Sequence, residues 1–221
     1  TFSSRGLGDV YKRQLIYKLF MIKKIILFSL FSLLIFSSIY FFLNKDYYQN
    51  TTVQKIENQD ALPGGHFKLI KQDGTVFDSE ISNKLMLIYF GFTYCPDVCP
   101  TTLIKMADVI DRLGDDALQV NSIFISVDPE RDNVEVVKDY VSAFHNQIIG
   151  LTGNKEQISN VARDWGVYYQ KEFFDGAEEY TVNHLDIIFL ANANGEFIDF
   201  FPPKIQSALI VEKVRNLIKS D

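Results

Sequence analysis

"KLMLIYFGFTYCPDVCPTTLIKMADVIDRLG", residues 84–114, joins an apolar run, both cysteines of the chain and an amphipathic segment. The run from Leu85 to Tyr94 is continuously apolar, the pattern of a strand buried on both faces in the middle of a sheet. Beyond the cysteines, Leu103, Ile104, Ala107, Ile110 and Leu113 recur at helical spacing; Pro100 suits a first turn and Gly114 a helix end. The stretch therefore predicts strand, loop and helix, with Cys95 at the carboxyl end of the strand and Cys99 one turn further on.

Working outward, "HFKLIKQDGTVFDS" (66–79) predicts a hairpin turned at Asp73-Gly74, and "LQVNSIFISV" (118–127) a further strand. Asp132 with Glu135 has the form of a capping box for a helix carrying Val136, Val137, Tyr140, Val141 and Phe144; Asn154 with Gln157 caps another, closed by Gly166. "HLDIIFLANANGEFIDFF" (184–201) predicts a second hairpin turned at Asn194-Gly195, followed by a helix on Leu209, Ile210, Val214 and Leu217. This order is α/β: a thioredoxin-like three-layer fold with an additional N-terminal hairpin.

The carboxyl end of a central strand is where reactive groups gather in open α/β sheets. The unpaired N–H groups of the following helix favour a thiolate there. A purely structural disulfide across three intervening residues would close little chain entropy and add little stability. A Cys-x-x-x-Cys gap instead directs two sulfurs to one point, where an external donor completes a metal site. Soft thiolates select Cu(I), which accepts low coordination numbers. Pro96 stiffens the loop.

The N-terminal region is read in three parts. Residues 4–14, "SRGLGDVYKRQ", match a translated transposon-based sequencing adaptor letter for letter, so 1–20 are read as an artefact and Met21 as the start. Residues 21–44 form a membrane anchor. Lys23 and Lys24 precede Ile25–Leu43, nineteen uncharged residues that would span roughly 28 Å as a helix, close to the hydrocarbon thickness of a bilayer. The exit "SIYFFLNKDYYQN" offers no small-x-small cleavage site, so the anchor is read as uncleaved, with the two lysines on the cytoplasmic side. Residues 45–62 are a polar linker and 63–221 a single domain. Of the formal net charge of −6, residues 1–20 contribute +3 and the two lysines +2, leaving −11 on residues 25–221. Such acidity excludes a nucleic-acid partner. With 47% hydrophobic and 14% aromatic residues, the domain can bury one core.

Four stretches, "GFTYCPDVCPTTL" (91–103), "ISVDPERD" (125–132), "YTVNHLDIIFL" (180–190) and "NGEFIDFF" (194–201), resemble in identity and order the SCO/SenC family of membrane-anchored copper proteins. The resemblance covers most of residues 63–221. It implies a thioredoxin-like fold, copper bound by Cys95, Cys99 and the distal His184, and a role in delivering copper to, or reducing the cysteines of, the copper A centre of cytochrome c oxidase subunit II. It also marks a departure: the family usually has Asp before this histidine, and here the residue is Asn183. Loss of that carboxylate would favour the reduced metal, and Asp186 would substitute only through a bend in the loop. Asp128 matches a family carboxylate on the same rim as the cysteines, with a turn role before Pro129 as the alternative; Arg131 and Asp132 are expected to position the next helix. His66 and His145 are expected to be bland.

Three functions remain open. The first is a copper metallochaperone. The second is a thiol-disulfide reductase, with Cys95 as nucleophile and Cys99 resolving. The third, a thioredoxin-fold peroxidase, is disfavoured because it leaves His184 idle. No organelle transit peptide precedes Met21, which places the expected anchor in a bacterial inner membrane with the domain in the periplasm.

Overall fold

The computed structural model describes residues 21, 23–24, 27–36, 40, 62–174 and 179–220. The expected artefact 1–20 and residues 45–61 of the expected linker lie outside them, as does part of the run Ile25–Leu43. Within that run residues 27–36 are helical and exposed, and among the described residues no helix is long and apolar enough to cross a membrane. The chain divides into two units, Thr1–Asp60 and Ala61–Asp221, and the strands and all candidate ligands belong to the second.

That unit runs β1 Lys68–Lys71, β2 Val76–Asp78, β3 Leu85–Gly91, α1 Val98–Leu113, β4 Val120–Ser126, α2 Val134–Ser142, β5 Ile148–Thr152, α3 Lys155–Asp164, β6 Tyr169–Phe173, β7 Tyr180–His184, β8 Ile188–Ala191, β9 Phe197–Phe201 and α4 Ser207–Ser220. Seven strands form one sheet in the order β2-β1-β5-β4-β3-β8-β9, with β3, β4 and β5 parallel. All seven residues of β3 and all seven of β4 are buried, so both faces of the sheet centre are covered; this is why the β3 run is apolar without alternation. Each large side chain buried there stabilises by about 1.5–3 kcal/mol. Helix α1 packs against α4, and α2 against β5. The register pairs Leu85 with Val120 and Gly91 with Ser126, so β3 and β4 end level, and the loops after them share one edge.

Both predicted hairpins form at their predicted turns, where Gly74 and Gly195 take the left-handed backbone (φ 83° and 74°) that a side chain disfavours. Asn154 and Gln157 make the predicted reciprocal cap of α3. Helix faces were less legible. Helix α1 buries Cys99, Leu103, Met106, Val109, Ile110 and Leu113, while Ile104 is 62% exposed. Helix α4 buries Val211 in place of the exposed Leu209. In α1 the adjacent Leu103 and Ile104 both fit the helical period, and packing selects Leu103. Asp132 does not cap α2: the cap is Asn133, whose side chain accepts from Val136 N–H. The strand-like residues 179–182 before His184 fall on β7, whereas β5, β6 and the pairing of β6 with β7 as a separate sheet are features the sequence reading lacks.

Candidate metal centre

The centre is built where β3 runs out. Helix α1 begins at Val98 with no side-chain cap from Asp97, leaving first-turn N–H groups to be satisfied otherwise. Cys95 supplies one acceptor: its sulfur takes the Cys99 N–H at 3.5 Å. One turn of helix then brings Cys99 Sγ beside Cys95. Gly91 leaves the space, since a Cβ at that position would lie 3.0 Å from Cys99 Sγ and 2.9 Å from Phe124. Both cysteines are free and buried, Cys99 completely and Cys95 to 8% exposure, which makes Cys95 the outer thiol.

His184 ends β7 and reaches the pair from the other side, its Nε2 3.2 Å from Cys99 Sγ. Its Nδ1 lies 3.2 Å from the Leu185 carbonyl, which can only accept. The proton therefore belongs on Nδ1, and the Nε2 lone pair faces the sulfurs, the tautomer a metal ligand needs. The rings of Tyr89 and Phe92 stand edge-on to the imidazole at 6.1 and 5.7 Å. The three ligand atoms of Cys95, Cys99 and His184 all lie within 4.8 Å of one another. The structure thus brings together the whole predicted set. Two thiols and one imidazole suit a soft or borderline ion, copper included.

The electrostatics divide the two thiols. Cys95 is pulled down to about 3, chiefly by the hydrogen bond from the Cys99 thiol and further by the N–H groups of Asp97 and Cys99, against the cost of burial. Cys99 is pushed well up, because its proton is shared with the Cys95 sulfur and it is buried. Since the Cys95 shift is downward, its thiolate contributes stability above the ordinary thiol range near 9 that is lost as pH falls through about 3. The expected result is that alkylation of the metal-free reduced chain labels Cys95 first, at a rate changing less than about twofold between pH 5 and 8. An ordinary thiol would speed up about tenfold per pH unit over that range, and such a slope at Cys95, read by mass spectrometry, would contradict the assignment.

Residues further out hold the loop. Asp132, fully buried, accepts hydrogen bonds from Thr93 N–H (2.9 Å), Thr93 Oγ1 (2.6 Å) and Ser126 Oγ (2.6 Å), so it ties the segment before Cys95 to the end of β4. Burial pushes its carboxyl up, and the Ser126 and Thr93 donors partly offset this. Asp128 is also fully buried, ion-paired to Arg131 and accepting from Tyr180 Oη at 2.9 Å; it serves as more than a turn residue. Asp186 accepts from Thr102 Oγ1 at 3.0 Å, an anchor to α1. Asn183 is exposed and donates to Glu172 at 3.3 Å; as the strand neighbour of His184 it projects from the opposite face, so its missing charge lies away from the ligands. His145 pairs with Asp111, and His66 lies beside Gly195; neither joins the cluster. Sequence reasoning missed the holding roles of Asp132 and Arg131. The available signal was the density of charge in "DPERD" directly after a strand buried at every residue.

The chain is similar to known proteins over the stretch that holds this centre. The SCO1/SenC family model matches residues 55–219. The chain is 39% identical over 155 residues to the SCO2-like protein RP587 of Rickettsia prowazekii, covering 69% of this chain and 76% of that protein. It is 44% identical over 143 residues to the mitochondrial SCO1 homolog 1 of Arabidopsis thaliana, covering 64% of this chain and 42% of that one. Among solved structures, copper-bound ScoI of Arabidopsis thaliana superposes with a TM-score of 0.65 at 40% identity, covering 72% of this chain and 99% of the other. Copper-bound ScoI of Bradyrhizobium japonicum superposes with a TM-score of 0.66 at 37% identity, covering 70% and 98%. BsSco, described as a member of the Sco family of cytochrome c oxidase assembly proteins with a disulfide switch, shares the fold at a TM-score of 0.56 and 22% identity, over 74% and 97%. The stretch matched by the family contains the whole sheet and all three clustered ligands, and the chain belongs to the SCO1/SenC family.

Proposed function

We propose that this chain is a copper metallochaperone, holding copper, preferentially Cu(I), on Cys95 Sγ, Cys99 Sγ and His184 Nε2 and passing it to a copper-receiving protein during cytochrome c oxidase assembly. The observation that carries the reading is the convergence of the three donor atoms within 4.8 Å. Two thiolates match the softness of Cu(I), and a single nitrogen leaves the set open to ligand exchange. Copper-bound relatives support the metal, and the family's place in oxidase assembly supports the destination. The client that fits the chemistry is the copper A domain of subunit II, which needs both copper and reduced cysteines. Residues 21–44 are proposed as the anchor and 45–62 as the tether of the domain 63–221, in a bacterial inner membrane with the domain in the periplasm. Tethering raises the effective concentration of donor and client in one membrane plane.

The lowered Cys95 and raised Cys99 also favour a second reading, reduction of a client disulfide. The Cys95 thiolate attacks one client sulfur and expels the other as a thiolate. Cys99, giving up its proton, then attacks Cys95 Sγ, forming the Cys95–Cys99 disulfide and releasing the second client thiol, so two electrons pass to the client. His184 separates the two activities. His184→Ala is expected to abolish copper transfer to an apo copper A domain, followed by the client's absorption spectrum, while the rate of client disulfide reduction stays within about tenfold of wild type. Undiminished transfer by the variant would overturn the metallochaperone reading.

A further inference from the structure

His184 belongs to a sheet of its own. Among the described residues, strands β6 and β7 pair only with each other, from Tyr169 opposite His184 to Phe173 opposite Tyr180, and share no ladder with the seven-stranded sheet whose interior strand β3 leads into the cysteines. Val182 packs into the core from this hairpin, and Tyr169 and Tyr180 are partly buried against it. A polar clasp adds to this packing. Arg131, in the loop after β4, donates from Nη1 to the Tyr180 carbonyl at 2.8 Å and lays its guanidinium 3.7 Å from the centroid of the Tyr180 ring. Its Nε pairs with the buried Asp128 carboxylate, which also accepts the Tyr180 hydroxyl. Lys171 of β6 approaches the same ring at 4.2 Å and pairs with Glu130 at 2.6 Å.

The guanidinium also faces the cysteine loop, 4.8 Å from the Tyr94 ring and 5.8 Å from that of Phe92. One residue further, Asp132 grips Thr93. Residues 128–132 therefore hold the two ligand-bearing segments at once: the cysteine loop through Thr93 and Tyr94, and the His184 arm through Tyr180. A planar, multiply donating guanidinium can bond a carbonyl and a carboxylate while stacking on a ring; a lysine ammonium cannot.

We propose that Arg131 is a positioning residue, setting His184 Nε2 against the two thiols by clasping the β6-β7 arm to the cysteine loop. This rests on the metal reading above. A residue that merely stabilised the fold would weaken copper binding whether or not His184 were present; a positioning residue acts only through it. The test is a double-mutant cycle on the purified full chain, with Cu(I) affinity measured against a competing chelator for wild type, Arg131→Gln, His184→Ala and the double variant. Arg131→Gln is expected to cost about 10–100-fold in affinity, with loss of the nitrogen and retention of both sulfurs in copper-edge absorption spectra. In the His184→Ala background the same change is expected to cost less than about threefold. Equal losses in both backgrounds, or no loss in either, would overturn the proposal while leaving the metal site standing. A wild type indifferent to His184→Ala would overturn the proposal together with the metal reading. Should Arg131→Gln fail to fold, Arg131→Lys keeps the charge. In the metal-free chain it is expected to speed amide exchange in β7 by about tenfold with β3 unchanged, and uniform protection across both strands would count against the clasp.

Discussion

Asp132→Ala is expected to lower the unfolding free energy of the domain by about 3–5 kcal/mol. The carboxylate is fully buried and accepts from Thr93 N–H, Thr93 Oγ1 and Ser126 Oγ. An alanine leaves these donors facing a void, and each buried unsatisfied donor costs about 1–3 kcal/mol. In a domain of this size the loss corresponds to a fall in Tm on the order of 10 °C. Asp132→Asn keeps one acceptor oxygen and should lose about half as much. Calorimetry or denaturant unfolding of the three proteins decides the matter. A loss of only about 1 kcal/mol, the usual worth of a helix cap, would contradict the role of Asp132 as the tie between Thr93 and Ser126. Because Thr93 stands two residues before Cys95, the same substitution should also loosen the cysteine loop.

What could be read from the sequence was local or fully buried. Strand β3 announced itself because both of its faces are covered, which removes the alternation a half-exposed strand would show. The turns at Gly74 and Gly195 and the Asn154–Gln157 cap depend on neighbouring residues only, and all three form. The Cys95–Cys99 juxtaposition is likewise a matter of one helical turn. The strand-like run 179–182 before His184 is visible in the sequence and falls on β7, but its partner β6, YQKEF, is largely polar and partly exposed and offers no apolar period to find. His184 lies 85 residues from Cys99 and was reached through family resemblance; spacing alone does not contain it. The roles of Asp132 and Arg131 depend on partners 39 and 49 residues away, Thr93 and Tyr180, so a local reading turned both into helix-capping residues. The choice of Leu103 over Ile104 for the buried face of α1 was also settled by tertiary packing, since either fits a period of 3.6.

The second large effect concerns the ligand that no local pattern supplies. His184→Ala removes one of three donors, and since changes in mere supporting residues cost about 10–100-fold in metal affinity, loss of a ligand should cost at least about 100-fold. Both sulfurs remain in place in the variant, because Cys95 and Cys99 are held by the end of β3 and the first turn of α1. The most direct test is an anaerobic Cu(I) titration of the reduced full chain and of His184→Ala against a competing chelator, with copper-edge absorption on the loaded forms. One tightly bound copper on two sulfurs and one nitrogen, weakened at least about 100-fold and reduced to two sulfurs by His184→Ala, is the predicted result. Binding at the same affinity in both proteins, or no copper retained against the chelator by either, would contradict a metal centre of Cys95, Cys99 and His184.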